Sequence, residues 1–259
     1  METHEIKMSL FKNACTFIEE AARKAVEAKN APWQWKFAIL NLVQAIELSF
    51  KERLRNEHPA FVYQDVDVQK HTISLRKALS RIQKLCPCNF TEKEIRTIKS
   101  AVKKRDAIVH YEFEINPKEA KVIFARLIGF LSHFFNKHLD KFIDSYVDSE
   151  IWKKVLEISE YGESLYQAAL KNIADNDYQD ILFCPSCNYE TFVYQDEINT
   201  CLVCGHQEDV HQCEKCGEIL LGRETYSMEV GEYDCELYCY QCYDGEMYMD
   251  YYYEQAHGK

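Results

Sequence analysis

Val122-Ile123-Phe124-Ala125-Arg126-Leu127-Ile128-Gly129-Phe130-Leu131-Ser132-His133-Phe134-Phe135 is the most apolar run of the chain, and its reading decides the fold. A helix opened by Asn116-Pro117 and running to about Lys141 carries this run and is apolar almost all round. Such a helix has to be buried on more than one side. Either it is the central helix of a bundle, or one of its faces is left for a second copy of the chain. It does not span a membrane: the run contains Arg126 and His133 and falls short of the roughly 20 apolar residues a bilayer needs.

Outward from this helix the pattern is helical on both sides. Residues 3–28 place Ile6, Leu10, Phe17, Ala21 and Ala25 at helical spacing, and Asn30-Ala31-Pro32 restarts the chain into a second helix striped by Phe37, Leu40, Val43, Ile46, Phe50 and Leu54. Residues 59–70 read as a loop, and Thr72 opens a third helix using Ile73, Leu75, Leu79, Ile82 and Leu85. Cys86-Pro87-Cys88-Asn89 ends it, and Thr91 with Glu94 forms a capping box that opens the fourth. Tyr111 to Ile115 stays unassigned. A sixth helix over roughly 148–174 leads through Asp175-Asn176-Asp177 into a stretch of different composition.

Two physical objects are joined near residue 180. The first 180 residues carry 28 Lys+Arg against 26 Asp+Glu, while the last 79 carry three basic and 16 acidic residues with 11 of the 17 tyrosines. The overall net charge of −11 therefore hides a locally basic helical part and does not exclude a nucleic-acid partner. Between Lys70 and Arg105 there are eleven Lys/Arg and only two carboxylates.

That basic approach ends in Lys103-Lys104-Arg105-Asp106-Ala107-Ile108-Val109-His110. Arg105 offers a planar fork that matches phosphate oxygens, and the His110 imidazole can give or take a proton. Together they are the minimal kit for cutting RNA without a metal: one group relays the 2′-hydroxyl proton, the other steadies charge on phosphorus. The bland alternative is a solvated helix end. Five residues at about 100° each set Arg105 and His110 about 140° apart, too far round for one phosphate, so the helix deforms or the partners come from two chains. Asp106 and His110 share a face, which would let Asp106 orient the imidazole.

An all-helical domain of this size, with Ala45-Ile46-Glu47-Leu48 in its second helix and Arg105, Asp106 and His110 at a gap of four late in the bundle, resembles the HEPN family (higher eukaryotes and prokaryotes nucleotide-binding domain). The resemblance covers about residues 1–145. It implies an up-and-down helical bundle and metal-independent ribonuclease activity of toxin or anti-phage defence type. It also implies a homodimer in which two copies of the motif, Arg105, Asp106 and His110, meet around the RNA substrate. Non-catalytic members bind nucleotides or proteins instead.

Four CxxC pairs follow: Cys184/Cys187, Cys201/Cys204, Cys213/Cys216 and Cys239/Cys242. Two thiolates at this spacing sit on one tight turn, and two such turns complete a closed four-sulfur site, so two structural zinc ions are expected. Thirteen residues separate the first and second pairs and 22 the third and fourth. That suits pairing in sequence order as two zinc-ribbon-like modules, with a crossed arrangement as the alternative. Cys235, His206 and His211 are substitute ligands, and Cys15, Cys86 and Cys88 read as packed thiols. The N-terminal Met-Glu-Thr-His-Glu-Ile-Lys-Met lacks the basic-then-apolar order of a signal peptide, which points to a reducing cytoplasm and to metal rather than disulfides.

The expected organisation is mainly α: a HEPN-like bundle over 1–145, a connecting helix and linker over 146–180, and two small β-rich zinc modules over 181–209 and 210–259. The last ends in an acidic Tyr-rich tail. The acidic metal half repels an RNA backbone and suits a basic protein partner, or shielding of the chain's own basic helices.

Overall fold

The computed structural model describes residues 6–110, 114–195, 199–229 and 235–245. Tyr111-Glu112-Phe113 and the Tyr-rich tail from Tyr248 to Glu254 lie outside the described residues. The fold is mainly α, with small antiparallel strand pairs at the C-terminal end.

Among the described residues six α-helices build the first part. Helix α1, Leu10–Glu27, starts where the Ser9 side chain accepts from the Lys12 amide, so the expected helix over 3–28 begins seven residues later. It turns back onto α2, Gln34–Glu57, through small buried residues, Ala14, Ala21, Ala22 and Ala25, that let the two backbones approach. The loop expected over 59–70 is organised rather than slack. A 3-10 turn, Pro59–Val62, opens it, and the Arg81 guanidinium donates to the carbonyls of Phe61 at 2.7 Å and Tyr63 at 2.5 Å.

Helix α3, Leu75–Leu85, is capped by Ser74, and α4, Glu92–His110, by the expected box: the Glu94 amide donates to Thr91 Oγ1 at 3.2 Å and the Thr91 amide to Glu94 Oε2 at 2.7 Å. Asn116 caps α5, Pro117–Phe134, which continues through a π-helical turn, Phe135–Leu139, and stops at Asp140 in the left-handed region, φ 54°.

Helix α5 is the centre of the bundle. Ala120, Val122, Ile123, Phe124, Leu127, Ile128, Phe130, Leu131 and Phe134 are all buried within one copy of the chain, so α5 presents no large apolar face to a second. Phe134 packs on Phe50 at 4.9 Å between ring centroids and on Phe90 at 6.2 Å, contacts worth roughly 0.5–1.5 kcal/mol each beyond their burial. No helix among the described residues is long and apolar enough to cross a membrane.

Helix α6, Ser149–Asp175, does more than connect. Val155 enters the bundle core, and a Cβ on Gly162 would stand 2.9 Å from the Ala125 Cβ, so only glycine lets α6 lie this close to α5. Further along, Leu165, Tyr166 and Ala169 enter the core of the first C-terminal module. That module is a three-stranded antiparallel sheet: β1, Ile181–Phe183, β2, Glu190–Val193, and β3, Thr200–Cys201. Two hairpins follow, β4, Val210–Gln212, with β5, Ile219–Leu221, and β6, Tyr226–Glu229, with β7, Cys235–Tyr238.

Candidate functional site

The eight paired cysteines gather in two groups, Cys184, Cys187, Cys201 and Cys204, and Cys213, Cys216, Cys239 and Cys242, each with its sulfurs within 4.8 Å of one another. The pairing is in sequence order, and the crossed alternative is not adopted. Sulfur separations of 3.7 Å (Cys184 to Cys204), 3.6 Å (Cys187 to Cys201) and 3.8 Å (Cys216 to Cys239) are far beyond a bonded disulfide. They match the edge of about 3.8 Å that a tetrahedron of thiolates has around an ion with bonds of about 2.3 Å. Each quartet could hold a metal ion.

Local backbone makes these quartets. After the first three pairs the chain enters the left-handed region, at Asn188 (φ 61°), Gly205 (φ 76°) and Gly217 (φ 74°), which asparagine and glycine tolerate best. Each of these residues donates its amide back to the first cysteine of its pair: Asn188 to the Cys184 carbonyl at 2.8 Å, Gly205 to Cys201 at 2.8 Å and Gly217 to Cys213 at 2.9 Å. The turn so closed points both thiols of a pair at one spot. The fourth pair closes the same bond, Tyr243 amide to Cys239 carbonyl at 2.9 Å, but continues as a helical turn.

The two quartets differ in setting. All four sulfur residues of the first are buried, in a core shared with Val122 of α5 and Ala169 of α6. In the second, Cys216 is exposed and Cys242 half-buried. Burial, then hydrogen bonding to the Cys184 thiol, pushes the Cys187 thiol well above its ordinary range. A bare thiolate is costly at such a depth, so the quartet ionises only where a cation takes its place among the sulfurs. Three of the four remaining cysteines behave as packed thiols: burial pushes Cys15 and Cys86 up to about 11, and Cys88 sits 3.3 Å from His138 Nδ1. His206 turns to Glu208 at 3.1 Å, His211 lies in β4, and Cys235 is exposed; none joins a quartet.

The first module is seated on α4 and α5. The Arg126 guanidinium donates to Thr97 Oγ1 at 2.9 Å and to the Cys187 carbonyl at 3.0 Å, and lies 4.3 Å from the Tyr189 ring. Arg96 stacks on Phe183 at 3.9 Å, and Ser186, inside the first CxxC, bonds the Glu119 carboxylate that also holds Lys104 at 2.9 Å. Beside this seam a cleft of about 600 Å³ opens, walled on the helical side by Arg96, Lys99, Lys103 and Lys104 together with Glu114 and Glu119.

Of Arg105, Asp106 and His110, the fold brings the first two together and leaves His110 apart. The Arg105 fork holds Asp106 Oδ1 at 2.8 and 3.1 Å and reaches Glu47 Oε2 of α2 at 3.4 Å. Asp106 also takes Arg76 of α3 at 3.4 Å, and Glu47 takes Lys51 at 2.7 Å. The result is an alternating chain of charge, Lys51, Glu47, Arg105, Asp106, Arg76, across three helices. His110 is exposed at the end of α4, one turn beyond Ala107 on the stripe that walls the cleft, and no hydrogen bond joins it to Asp106 among the described residues. Asp106 therefore orients Arg105, not the imidazole, and the expected angular separation of Arg105 and His110 persists.

Three contributors went unassigned in the sequence: Glu47 as the second holder of Arg105, Arg126 as the anchor of the first module, and Ser186 as its inner contact. Arg126 had a visible signal, a cation inside the most apolar run, which demands a partner. Glu47 stood in the Ala45-Ile46-Glu47-Leu48 stretch without a signal for its contact with Arg105, and Ser186 had none. No family model matches the chain, and comparison with curated proteins and with solved structures returns no match.

Proposed function

We propose that the chain is an endoribonuclease of the toxin or anti-phage defence type, HEPN-like in its helical part, that cuts RNA without a catalytic metal and carries two structural zinc ions. The observation that supports it is a part-exposed guanidinium, 29% accessible, held in a fixed pose by Glu47 and Asp106 on a helix that ends in an exposed imidazole. Neutral His110 takes the proton of the RNA 2′-hydroxyl as its oxygen bonds to phosphorus. Arg105 steadies the phosphorane oxygens, and the bond to the 5′ oxygen breaks as that oxygen takes a proton from solvent water, the hydroxide so formed taking back the proton held by His110. The products are a 2′,3′-cyclic phosphate and a 5′-hydroxyl. Because Arg105 turns towards α2 and α3 while His110 continues the cleft face, a complete site takes Arg105 from one chain and His110 from another, hence a homodimer. Four-sulfur sites are closed to water, so zinc supplies fold rather than chemistry.

The test is cleavage of an RNA oligonucleotide with a chelator or with magnesium, beside the same oligonucleotide lacking the 2′-hydroxyl 5′ to the cut. Cleavage in both buffers, cyclic phosphate ends and an inert deoxy substrate are expected. A requirement for added magnesium, or equal cutting of the deoxy substrate, overturns the reading. A second reading has its own observation: the Arg105 fork is already engaged by two carboxylates, as a purely structural arginine would be. In that case the chain is a non-catalytic nucleotide- or protein-binding module with the acidic half as its docking surface. Growth of cells expressing wild type or His110→Ala separates the two, since only the enzyme loses toxicity on substitution.

A further inference from the structure

We infer that metal binding at Cys184, Cys187, Cys201 and Cys204 is thermodynamically coupled to the order of α4, with Arg126 and Ser186 as the link, so that the first module is a metal-operated clasp on the helix bearing Arg105 and His110. The inference rests on the quartets as metal sites and is independent of the ribonuclease reading.

The contacts single out this module. Arg126 bridges α4, at Thr97 Oγ1, and the backbone carbonyl of Cys187, itself one of the quartet. Ser186 lies between two ligand residues and bonds Glu119, the buried partner of Lys104, the residue next to Arg105. The Ser100 hydroxyl lies 3.4 Å from the Ser186 carbonyl. From Thr97 to Lys104, then, about two turns of α4 meet one four-residue knuckle, directly or through Arg126 and Glu119. The knuckle points its two thiols at the spot where the second pair also converges, and a cation there would hold it to this shape.

Small thiolate modules lack the core to fold without their ion, so docking contacts exist only in the metal-bound state and add to the affinity for metal. Linkage is reciprocal: what docking adds to metal affinity, metal adds to docking. The second quartet is the built-in control. Among the described residues its core of Cys213, Leu220, Tyr238 and Cys239 takes in none from α4 or α5.

The experiment uses the full chain loaded with zinc, chased with a colorimetric chelator, in wild type, Arg126→Met and Ser186→Ala. One of two ions should be bound about ten- to hundredfold less tightly in Arg126→Met, the span of one charge-assisted hydrogen bond, and the other at wild-type affinity. A Cys213→Ser, Cys216→Ser background should show that the weakened ion is that of the first quartet. Ser186→Ala should shift the same ion by a smaller factor. In wild type, hydrogen exchange over residues 97–104 should quicken when the first ion is withdrawn, while amides of α1 and α2 hold. Unchanged ion affinity in both variants overturns the inference, and so does unchanged α4 exchange after metal loss. Should Arg126→Met fail to fold, Ser186→Ala and the wild-type exchange decide alone.

Discussion

Replacing Arg105 separates a catalytic arginine from a structural one, because the geometry sets its structural worth. Its pair with Asp106 is 2.8 Å long, but Asp106 is 37% exposed, so solvent screening holds that contribution to roughly 0.5–1 kcal/mol. Its reach to Glu47 is 3.4 Å, and Glu47 keeps Lys51 at 2.7 Å, so no buried carboxylate is orphaned. Arg105→Ala should therefore cost about 1 kcal/mol and lower Tm by about 2–4 °C. Arg105→Lys should cost less, since an ammonium still pairs with Asp106. RNA cleavage should fall by about 10²–10³ in both variants, because a point charge does not reproduce a fork that grips two phosphoryl oxygens. Calorimetry and single-turnover cleavage on the same preparations measure the two effects. Near wild-type cleavage in Arg105→Lys, or an activity loss matched by a collapse of Tm, would refute the assignment of Arg105 to the reacting phosphate.

The metal sites should respond unequally: Cys184→Ser should release one ion and lower the Tm of the helical part, whereas Cys216→Ser should release one ion and leave that Tm nearly unchanged, as metal analysis and circular dichroism will report. Gly162→Ala should destabilise in denaturant titration by about 1 kcal/mol, the overpacking at 2.9 Å from Ala125 exceeding the gain in helix propensity; a stabilised variant would mean α5 and α6 are less tightly apposed. Burial, then Lys137, Arg53 and His133, hold the His138 imidazole below its ordinary range against the opposing pull of Glu94. The unfolded chain thus binds that proton first, and stability present above pH about 6.5 is lost as pH falls through the folded value. Tm measured between pH 7.5 and 5.5 should drop less in His138→Phe than in wild type.

Local signals in this chain are self-contained, and those were legible. The Thr91 and Glu94 box, the Asn116-Pro117 start and the four CxxC turns each fix their own geometry within a few residues, and each stands as read. What covers what was not. The apolar faces of α5 admitted either neighbours in the same chain or a second chain, because periodicity states that a face is buried and not by whom; α2, α4 and α6 use them up. Spacing alone points Asp106 at His110, whereas the fold brings Arg76 from α3 within reach. The helix over 149–175 read as a connector because its buried positions are small and sparse, Val155, Gly162 and Ala169, and small residues signal close packing only once the opposing surface is known.

Mixed dimers give the most direct test of the central claim, that Arg105 and His110 act on one phosphate from different chains. Differently tagged Arg105→Ala and His110→Ala chains, each inactive as a homodimer, are co-expressed and the heterodimer is purified through both tags. One of its two sites then pairs an intact Arg105 with an intact His110, and cleavage should return to about half the wild-type rate per dimer. A heterodimer as inactive as its parents would contradict the account.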